Sequence, residues 1–223
     1  MEIQELTKTV LFHGTEPEEI RAMLTCLKAE QKKFAKGQMI YRIGDVVSSL
    51  GIVLCGSVMV EADDFWGRTT VFDKIEPGQI FAEAYACASG EPLMVNVIAA
   101  ENTTVLFLNA NHVLRTCSRS CEYHGKLIRN LLSLSSRKNL NLSRKIFHTS
   151  PKSIRGRLLS YLSDQAVRNG CRSFFIPLNR QQLADYLNVG RSAMSNELSK
   201  MQNEGLIRVQ RDHFELLDMY PDL

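Results

Sequence analysis

The sequence predicts an α+β protein in which an N-terminal antiparallel β-roll is followed by one long helix and a C-terminal winged helix-turn-helix. Three observations predict it. Residues 34–108 hold short apolar stretches separated by glycine turns, residues 109–147 hold one glycine and no proline, and residues 177–207 hold two short helical patterns joined by a turn. We expect a sensor roll at 1–108, a dimerisation helix and hinge at 109–149, and a winged helix-turn-helix domain at 150–223.

Composition excludes several classes of protein. The 223 residues are 44% hydrophobic and 23% charged, as in ordinary globular domains. Apolar runs are far shorter than the ~20 residues that span a bilayer, and the start MEIQELTKTV lacks the apolar segment of a secretory signal. Six cysteines are too sparse for a disulfide framework. We therefore expect a cytoplasmic protein with reduced thiols and no membrane partner.

The net charge of +3 conceals a strong asymmetry along the chain. Residues 1–108 carry 9 Lys+Arg against 15 Asp+Glu, residues 109–149 carry 8 against 1, and residues 150–223 carry 10 against 8. A basic block in the middle segment indicates a polyanionic partner, an acidic domain packed nearby, or both. A merely solvated helix is the alternative.

The β-roll is predicted from five apolar or alternating stretches. They are Met39–Ile43, Leu50–Leu54, Val58–Glu61, Thr69–Ile75 and Val95–Ala100. Glycines in the intervening turns supply positive φ, and Pro77 presets the turn before Gly78. A short amphipathic helix through Leu27 precedes the roll, with Thr15 as its expected N-cap and Pro17 in its first turn.

One long helix is predicted from Asn109 to Phe147. Its 39 residues would extend about 58 Å at 1.5 Å per residue, which is longer than a small domain. An imperfect heptad stripe runs through Cys117, Cys121, His124, Ile128, Leu131, Ser135 and Leu142. We expect this helix to pack against a second copy of itself, with a long structured linker as the alternative. Ser150 as N-cap and Pro151 as first residue then predict the start of a new helix that ends at Asn169-Gly170.

The helix-turn-helix lies at residues 179–203. Asn179 can cap a short helix, the turn Asn188-Val189-Gly190 follows, and a second helix runs from Arg191 to Asn203. Apolar residues of the second helix recur at helical spacing, whereas its other face carries Ser, Asn and Arg side chains. Two short strands around 210–212 complete the pattern as a wing. This arrangement is typical of a DNA-reading domain.

The side chains of this face have chemistry suited to DNA. Arg191 can donate two hydrogen bonds to guanine, and Asn196 can pair with the edge of adenine. Arg180, Lys200 and a wing arginine (Arg208 or Arg211) can contact phosphates. The candidate DNA-binding residues are Arg180, Arg191, Ser192, Ser195, Asn196 and Lys200.

An acidic roll, a long helix and a winged helix-turn-helix, in that order, resemble the Crp/Fnr family of bacterial transcription regulators over residues 12–217. The most specific piece is RSAMSNELSKMQNEGLI, which resembles recognition helices of Firmicute members, usually RSALSRELxKMxxEGLI. The resemblance implies a homodimer that binds a two-fold symmetric operator in double-stranded DNA, and RNA polymerase as a partner of an activator. It places Arg191, Ser192 and Asn196 at base-reading positions, with Asn196 where the family usually has arginine.

The resemblance also bears on the effector. Gly78-Gln79-Ile80-Phe81-Ala82-Glu83 is similar to the start of the family's cyclic-AMP site, and the roll is of the cupin-like, cyclic-nucleotide-binding type. The Arg-Ser pair that grips the phosphate in that site falls on Leu93-Met94 here. A buried phosphate without a guanidinium would be costly, so we expect no tight binding of cyclic AMP. The candidate effector-pocket residues are Gly78, Phe81, Glu83, Leu93 and Met94.

The cysteines offer other ways to sense a signal. An iron–sulfur cluster of the FNR type is not expected, because only Cys26 lies in the N-terminal region where that cluster's cysteines stand. Cys117, Cys121 and His124 share one helix face, where they could ligate zinc or haem or form a redox pair. Simple packing in the dimer seam is the alternative. The effector stays unidentified.

The predicted function is therefore a homodimeric DNA-binding transcription regulator controlled by an effector or redox signal. A ligand-binding or interaction module whose helix-turn-helix does not read DNA is the alternative. An enzyme is disfavoured, since the five histidines are scattered and none falls within 39–108, where a cupin metal site would need them.

Overall fold

The structure, a computed structural model, describes residues 3–88, 90–114 and 122–217. It divides into two compact units, Met1–Ser136 and Arg137–Leu223, and the division falls within the longest helix. Each unit is therefore described by itself. In the part of the chain that the structure describes, no helix combines the length and apolar character needed to cross a membrane.

The first unit is built around eight short strands and contains the start of the longest helix. In chain order its elements are α1 (Ile3–Leu6), α2 (Pro17–Cys26), β1 (Glu30–Phe34), β2 (Met39–Tyr41), β3 (Ser49–Cys55), β4 (Val58–Asp63), β5 (Thr69–Ile75), β6 (Ile80–Phe81), α3 (Glu83–Ala88), β7 (Asn96–Ala99), β8 (Thr103–Asn109), α4 (Ala110–Leu114) and α5 (Glu122–Thr149). The strands form two antiparallel sheets, ordered β1-β8-β3-β6 and β2-β7-β4-β5. The predicted antiparallel roll is confirmed.

In the sheet β1-β8-β3-β6 the central strands β3 and β8 are buried on both faces, whereas the edge strand β1 is mostly exposed. Val53 and Val105 pack in the interior of the roll, whereas the neighbouring Ile52 and Leu106 pack with the N-terminal segment and α5. Strands covered on both sides carry continuous apolar runs rather than alternation, which explains the run at Leu50–Leu54. In contrast, β5 is exposed along nearly its whole length.

The N-cap of α2 differs from the expectation. Glu16 occupies that position, its backbone N–H donates to Glu19 Oε2 at 3.0 Å, and Pro17 is the first helical residue. Thr15, the predicted cap, is buried and its hydroxyl has no hydrogen-bond partner among the described residues. The capping box of two glutamates therefore begins this helix one residue later than predicted.

The long helix also has other bounds than predicted. Asn109 is the last residue of β8, and α5 continues to Thr149 instead of ending at Phe147. Residues 115–121 lie outside the described residues. Asn109 belongs to a strand because it pairs with Ser49 of β3 in the sheet. Helical periodicity in the sequence cannot reveal such a long-range partner.

The predicted heptad stripe on α5 is partly wrong, because some of its residues face the core of the first unit. Leu127 and Leu131 are buried in the core of the first unit, and Asn130 Nδ2 donates to the carbonyls of Leu11 (3.0 Å) and His13 (2.8 Å). Leu131 therefore faces the roll unit, as does the buried His124. A regular heptad stripe lies on the outer face instead, half-buried at one position and exposed at the others: Gly125, Ile128, Leu132, Ser135, Asn139, Leu142 and Ile146.

The second unit adds four helical and three strand elements around one core. They are the end of α5, α6 (Ile154–Asn169), β9 (Ser173–Phe175), α7 (Arg180–Tyr186), α8 (Arg191–Asn203), β10 (Ile207–Gln210) and β11 (His213–Leu216). The strands form a sheet in the order β10-β11-β9. Leu158, Leu183, Met194 and Phe214 from four elements meet in its core. The wing strands agree with the prediction, and β9 was not predicted.

The start of α6 corrects the prediction at Ser150. The N-cap is Ser153, whose side chain accepts a hydrogen bond from the Gly156 N–H at 3.0 Å. Ser150 instead donates both its N–H (2.8 Å) and its hydroxyl (2.6 Å) to the carbonyl of Ile146 and so closes the end of α5. The predicted end of α6 is confirmed, with Gly170 in the left-handed region at φ 64°.

Candidate nucleic-acid interface

The helix α8 presents a polar face. Met194, Leu198 and Met201 are buried in the core, as their i, i+4, i+7 spacing predicts. The opposite side is exposed along the helix, and the candidate DNA-binding residues Arg191, Ser192, Ser195, Asn196 and Lys200 all lie there. Such a face offers hydrogen-bond donors and acceptors to a groove without uncovering apolar surface.

The turn before α8 is rigidly built. Asn179 and Gln182 exchange two backbone–side-chain hydrogen bonds of 2.9 Å that cap α7. After α7, Asn188 takes the left-handed conformation at φ 54° and Val189 N–H donates to the Ala184 carbonyl at 3.0 Å. The predicted turn is in place, but its left-handed residue is asparagine rather than Gly190, whose φ is −67°.

Two arginines of α6 hold the helix-turn-helix, and sequence reasoning missed both roles. Arg157 donates to the carbonyls of Leu187 (3.0 Å) and Asn188 (2.9 Å) in the turn. It also donates from Nε to the Pro151 carbonyl at 2.9 Å. These carbonyls end a helix, so the guanidinium satisfies groups that α7 leaves without partners. Sequence gives no signal for this contact, because backbone carbonyls are available at every position.

Arg155 forms the second contact with α8. Its Nε donates to Glu197 Oε1 at 2.6 Å, and its two terminal nitrogens donate to the carboxylate of Glu204 at 2.7 and 2.8 Å. The hydrogen bond from Arg155 holds the pKa of Glu204 below its ordinary value. Glu197 lies in the middle of α8 and Glu204 is its C-cap. A planar guanidinium that pairs with both carboxylates limits the rotation of α8.

Arg180 is placed differently from the other candidates. Its guanidinium lies over the ring of Phe214, 5.1 Å from the centroid, and its Nη1 is buried without a hydrogen-bond partner among the described residues. Burial lowers the pKa of this arginine. The side chain lines one cleft with Ser195 and Ser199 of α8 and another with Arg211 of the wing. Among the described residues no carboxylate pairs with this guanidinium, and its contact with a DNA phosphate stays a prediction.

The wing is a short hairpin. Strands β10 and β11 pair from Ile207 with Leu216 to Gln210 with His213, and Arg211 turns the chain at φ 58°. Arg208 is already 3.3 Å from the carboxylate of Glu215. The exposed Arg211 is therefore the better placed of the two wing arginines for a phosphate.

The predicted effector residues do not share one environment. Phe81, Glu83 and Leu93 are buried, whereas Met94 is 73% exposed. Gly78 lines a cleft with Lys8 and Thr9 of the N-terminal segment. The candidate set thus spans the interior, the surface and a separate cleft, although the residues lie close in sequence.

The interior of the roll is filled by aromatic rings. Phe81 packs edge to face against Tyr41 (6.2 Å between centroids) and Phe107 (6.3 Å), and Phe34 extends the group from Phe107 (6.2 Å). The Phe81 ring lies directly against Gly51, where a β-carbon would overlap it. Burial raises the pKa of the Tyr41 hydroxyl to about 12. These contacts are those of a packed core.

The predicted redox or metal group is only partly described. Cys117 and Cys121 lie outside the described residues, and His124 is 2% exposed with neither ring nitrogen hydrogen-bonded to a described residue. Within the described ranges, no group of three or more His, Cys, Asp or Glu side chains could hold a metal ion. The redox or metal role of this group stays a prediction.

Comparison with known domain families gives two matches. Residues 31–120 match the cyclic nucleotide-binding domain, and residues 156–220 match the Crp-like helix-turn-helix domain. Together they account for more than half of the chain. No curated protein sequence matches the chain significantly.

Solved structures share the fold. The catabolite activator protein of Thermus thermophilus has a TM-score of 0.53 and 24% identity over 93% of both chains. The c-di-GMP-responsive global regulator CLP of Xanthomonas campestris has a TM-score of 0.52 and 16% identity, over 92% of this chain and all of CLP. The N-terminal domain of a Streptomyces coelicolor transcriptional regulator covers 62% of this chain, with a TM-score of 0.52 and 18% identity over 94% of that domain.

A cyclic-nucleotide-binding-type roll, a long helix and a Crp-like helix-turn-helix define a regulatory protein of the DNA-binding class. The chain belongs to the Crp/Fnr family of transcription regulators.

Proposed function

We propose that this protein is a homodimeric, sequence-specific DNA-binding regulator of the Firmicute type, and that its roll does not use cyclic AMP as effector. The observation that carries the proposal is the exposed polar face of α8 on a helix held by Arg155 and Arg157. Base recognition requires such a face, since side-chain donors and acceptors must be placed within the major groove.

The roles of the candidates follow from their positions. Arg191 begins α8 and is exposed, so its guanidinium is available to a guanine edge, and Asn196 is exposed five residues later for an adenine. Arg180 and Arg211 supply phosphate contacts from the body and the wing, which position the helix without reading sequence.

Dimerisation is supported by the outer face of α5. Leu132 is 65% exposed, Leu142 62% and Ile146 65%, and all three lie on the heptad stripe. Apolar side chains at this spacing are buried in a two-stranded coiled coil. We propose a second copy of the chain as the covering partner, with this stripe replacing the seam expected from sequence.

Charges beside the stripe favour a parallel pair of helices. In a parallel coiled coil each g residue faces the following e residue of the other chain. With Leu132, Asn139 and Ile146 at position a of the heptad, Lys138 occupies a g position and Ser143 an e position. The rule then sets Lys138 against Ser143 of the partner subunit, with no like charges opposed. An antiparallel pair would set g positions against g positions, and two of these positions, 138 and 145, are lysines. Parallel helices also carry both α8 helices to the same end of the dimer, as a two-fold operator requires.

The dimer is tested with two leucines on α5 that are similarly exposed. We expect Leu142→Asp to raise the dimer dissociation constant by roughly 100-fold or more, because two carboxylates would be buried in the seam. Leu140, 55% exposed and off the stripe, provides the control Leu140→Asp, which should leave dissociation unchanged. Analytical ultracentrifugation measures both. Equal effects of the two variants would contradict the proposed seam.

The absence of a cyclic-AMP function is supported by two features. Leu93 and Met94 stand where the family's phosphate-binding Arg-Ser pair is expected, and the roll interior contains the packed rings of Tyr41, Phe81 and Phe107. Isothermal titration calorimetry of the full chain with cyclic AMP should show no binding at micromolar concentrations. Nanomolar affinity would contradict this part of the proposal.

DNA recognition is tested by selection from randomised duplexes with the full chain. We expect enrichment of a two-fold symmetric sequence with half-sites separated by about one DNA turn, ~34 Å. In gel shifts the affinity should fall steeply as salt rises, because bound phosphates release counterions. Failure to enrich any sequence, together with salt-independent retention, would favour an interaction module.

A further inference from the structure

A buried histidine joins three helices of the second unit. His148 lies in the last turn of α5, and its side chain is 2% exposed. Its Nδ1 is 2.9 Å from the hydroxyl of Tyr186 on α7, and its ring packs edge to face on Tyr161 of α6 at 5.4 Å between centroids. One imidazole therefore connects the end of the long helix with the first helix of the helix-turn-helix.

The charged groups around this ring come from α5 and α6. Asp164 Oδ2 is 3.6 Å from His148 Nε2, and neither atom has a hydrogen-bond partner among the described residues. Arg168 lies 3.9 Å from the same carboxylate, and Arg144 of α5 also acts on the ring electrostatically. With the phenols of Tyr161 and Tyr186, these are the ionisable groups that face the imidazole.

The surroundings determine the proton positions on the ring. Nε2 faces a carboxylate, so a proton there is favoured over a lone pair. Nδ1 then accepts the hydrogen bond from the Tyr186 O–H. A second proton would convert Nδ1 into a donor and force Tyr186 to turn its own proton away. The hydrogen bond between α5 and α7 thus exists in its present direction only with a neutral imidazole.

The energetics agree with that geometry. Burial lowers the pKa of His148, Arg144 and Arg168 lower it further, and Asp164 opposes them. A histidine in an opened, solvated arrangement has a pKa of about 6.5. Protons therefore bind the opened arrangement more tightly than the closed one, and acidification below about pH 6.5 shifts the population toward it.

We propose that His148 is a proton-sensitive joint that positions the helix-turn-helix on the end of α5, closed when the imidazole is neutral and released when it is protonated. The effect on DNA binding rests on the function proposed above. The joint itself does not, since it can be measured without DNA.

The test compares the full-length wild type with His148→Gln and with the matched control His13→Gln, in which an exposed histidine of the first unit is replaced. Backbone amide hydrogen exchange of α5, α6 and α7 is measured between pH 7.5 and 5.5, corrected for intrinsic exchange. For wild type and control, the opening equilibrium should rise by up to about tenfold for each unit of pKa depression. For His148→Gln it should stay flat.

A second variant keeps the proposal testable if His148→Gln does not fold. Tyr186→Phe removes the O–H that donates to the neutral ring, so the NMR titration midpoint of His148 should rise relative to wild type. In wild type that midpoint should lie below the value in the urea-unfolded chain. A midpoint that Tyr186→Phe leaves unchanged would overturn the proposal.

Binding to the DNA duplex selected at pH 7.5 completes the test. Wild type and His13→Gln should lose more affinity at pH 5.5 than His148→Gln loses. If His148→Gln follows the wild type in both exchange and affinity, the joint is refuted. If no variant binds DNA at pH 7.5, the proposed function fails, and the exchange and NMR results still decide the joint.

Discussion

The helix α8 and the interior of the roll are built in opposite ways. The face of α8 is polar and exposed, whereas the interior between the sheets is apolar and closed by the rings of Tyr41, Phe81 and Phe107. A DNA-reading surface needs unoccupied donors and acceptors, and an effector site needs an unoccupied concavity. The first requirement is met in these residues, and the second is not met where the packed rings lie.

The largest expected effect tests the closed interior. Phe81→Ala removes a ring that is 2% exposed, and we expect the free energy of unfolding to fall by about 3–5 kcal/mol. The control Phe65→Ala, at a site 95% exposed, should change it by at most about 0.5 kcal/mol. Urea unfolding followed by circular dichroism measures both. A cost below about 1 kcal/mol for Phe81→Ala would mean that the interior is loosely packed.

The open surface is tested by Arg191→Ala. We expect a loss of about 1–3 kcal/mol in binding to the selected duplex and relaxed preference at one base position. Lys200→Ala should instead weaken binding to all sequences alike and reduce the salt slope by about 1. Fluorescence anisotropy with single-base duplex variants separates the two. A uniform loss for Arg191→Ala would show that this residue contacts backbone rather than base.

The support of the recognition helix is tested by Arg157→Ala. Loss of the hydrogen bonds to the carbonyls of Leu187 and Asn188 should lower the unfolding free energy of the second unit by about 1–2 kcal/mol. Arg208→Ala removes an arginine that is 72% exposed and paired with Glu215, and should cost at most about 0.5 kcal/mol. If chemical denaturation finds the two variants equal, the turn does not depend on Arg157.

The smallest effect concerns where α6 begins. Ser153→Ala removes the N-cap hydrogen bond from the Gly156 N–H and should lower the free energy of unfolding by about 1 kcal/mol. Ser150→Ala should lower the free energy of unfolding by less. The hydroxyl and the backbone N–H of Ser150 both donate to the Ile146 carbonyl, so that carbonyl keeps one hydrogen bond in the variant. Thermal unfolding of the two single variants gives the comparison. The reverse order would restore Ser150 as the cap predicted from sequence.

Much of the second unit could be predicted from local sequence patterns. The bounds of α8, the cap at Asn179, the buried Met194 and the wing strands all follow from signals within about ten residues, and the structure agrees with them. The errors at Asn109 and Ser150 have a different origin. In both cases a helix signal in the sequence was overridden by a partner elsewhere, the strand β3 for Asn109 and the end of α5 for Ser150.

By itself, the sequence determined the order roll, long helix and helix-turn-helix, the polar face of α8 and the family to which the chain belongs. Only the tertiary structure decided which face of α5 is open, that Arg155 and Arg157 hold the helix-turn-helix, and that His148 meets Tyr186 across 38 positions of the chain. The physical reason is that helical and strand periodicities are local, whereas guanidinium–carbonyl contacts, ring packing and buried imidazoles depend on distant residues brought together by the core.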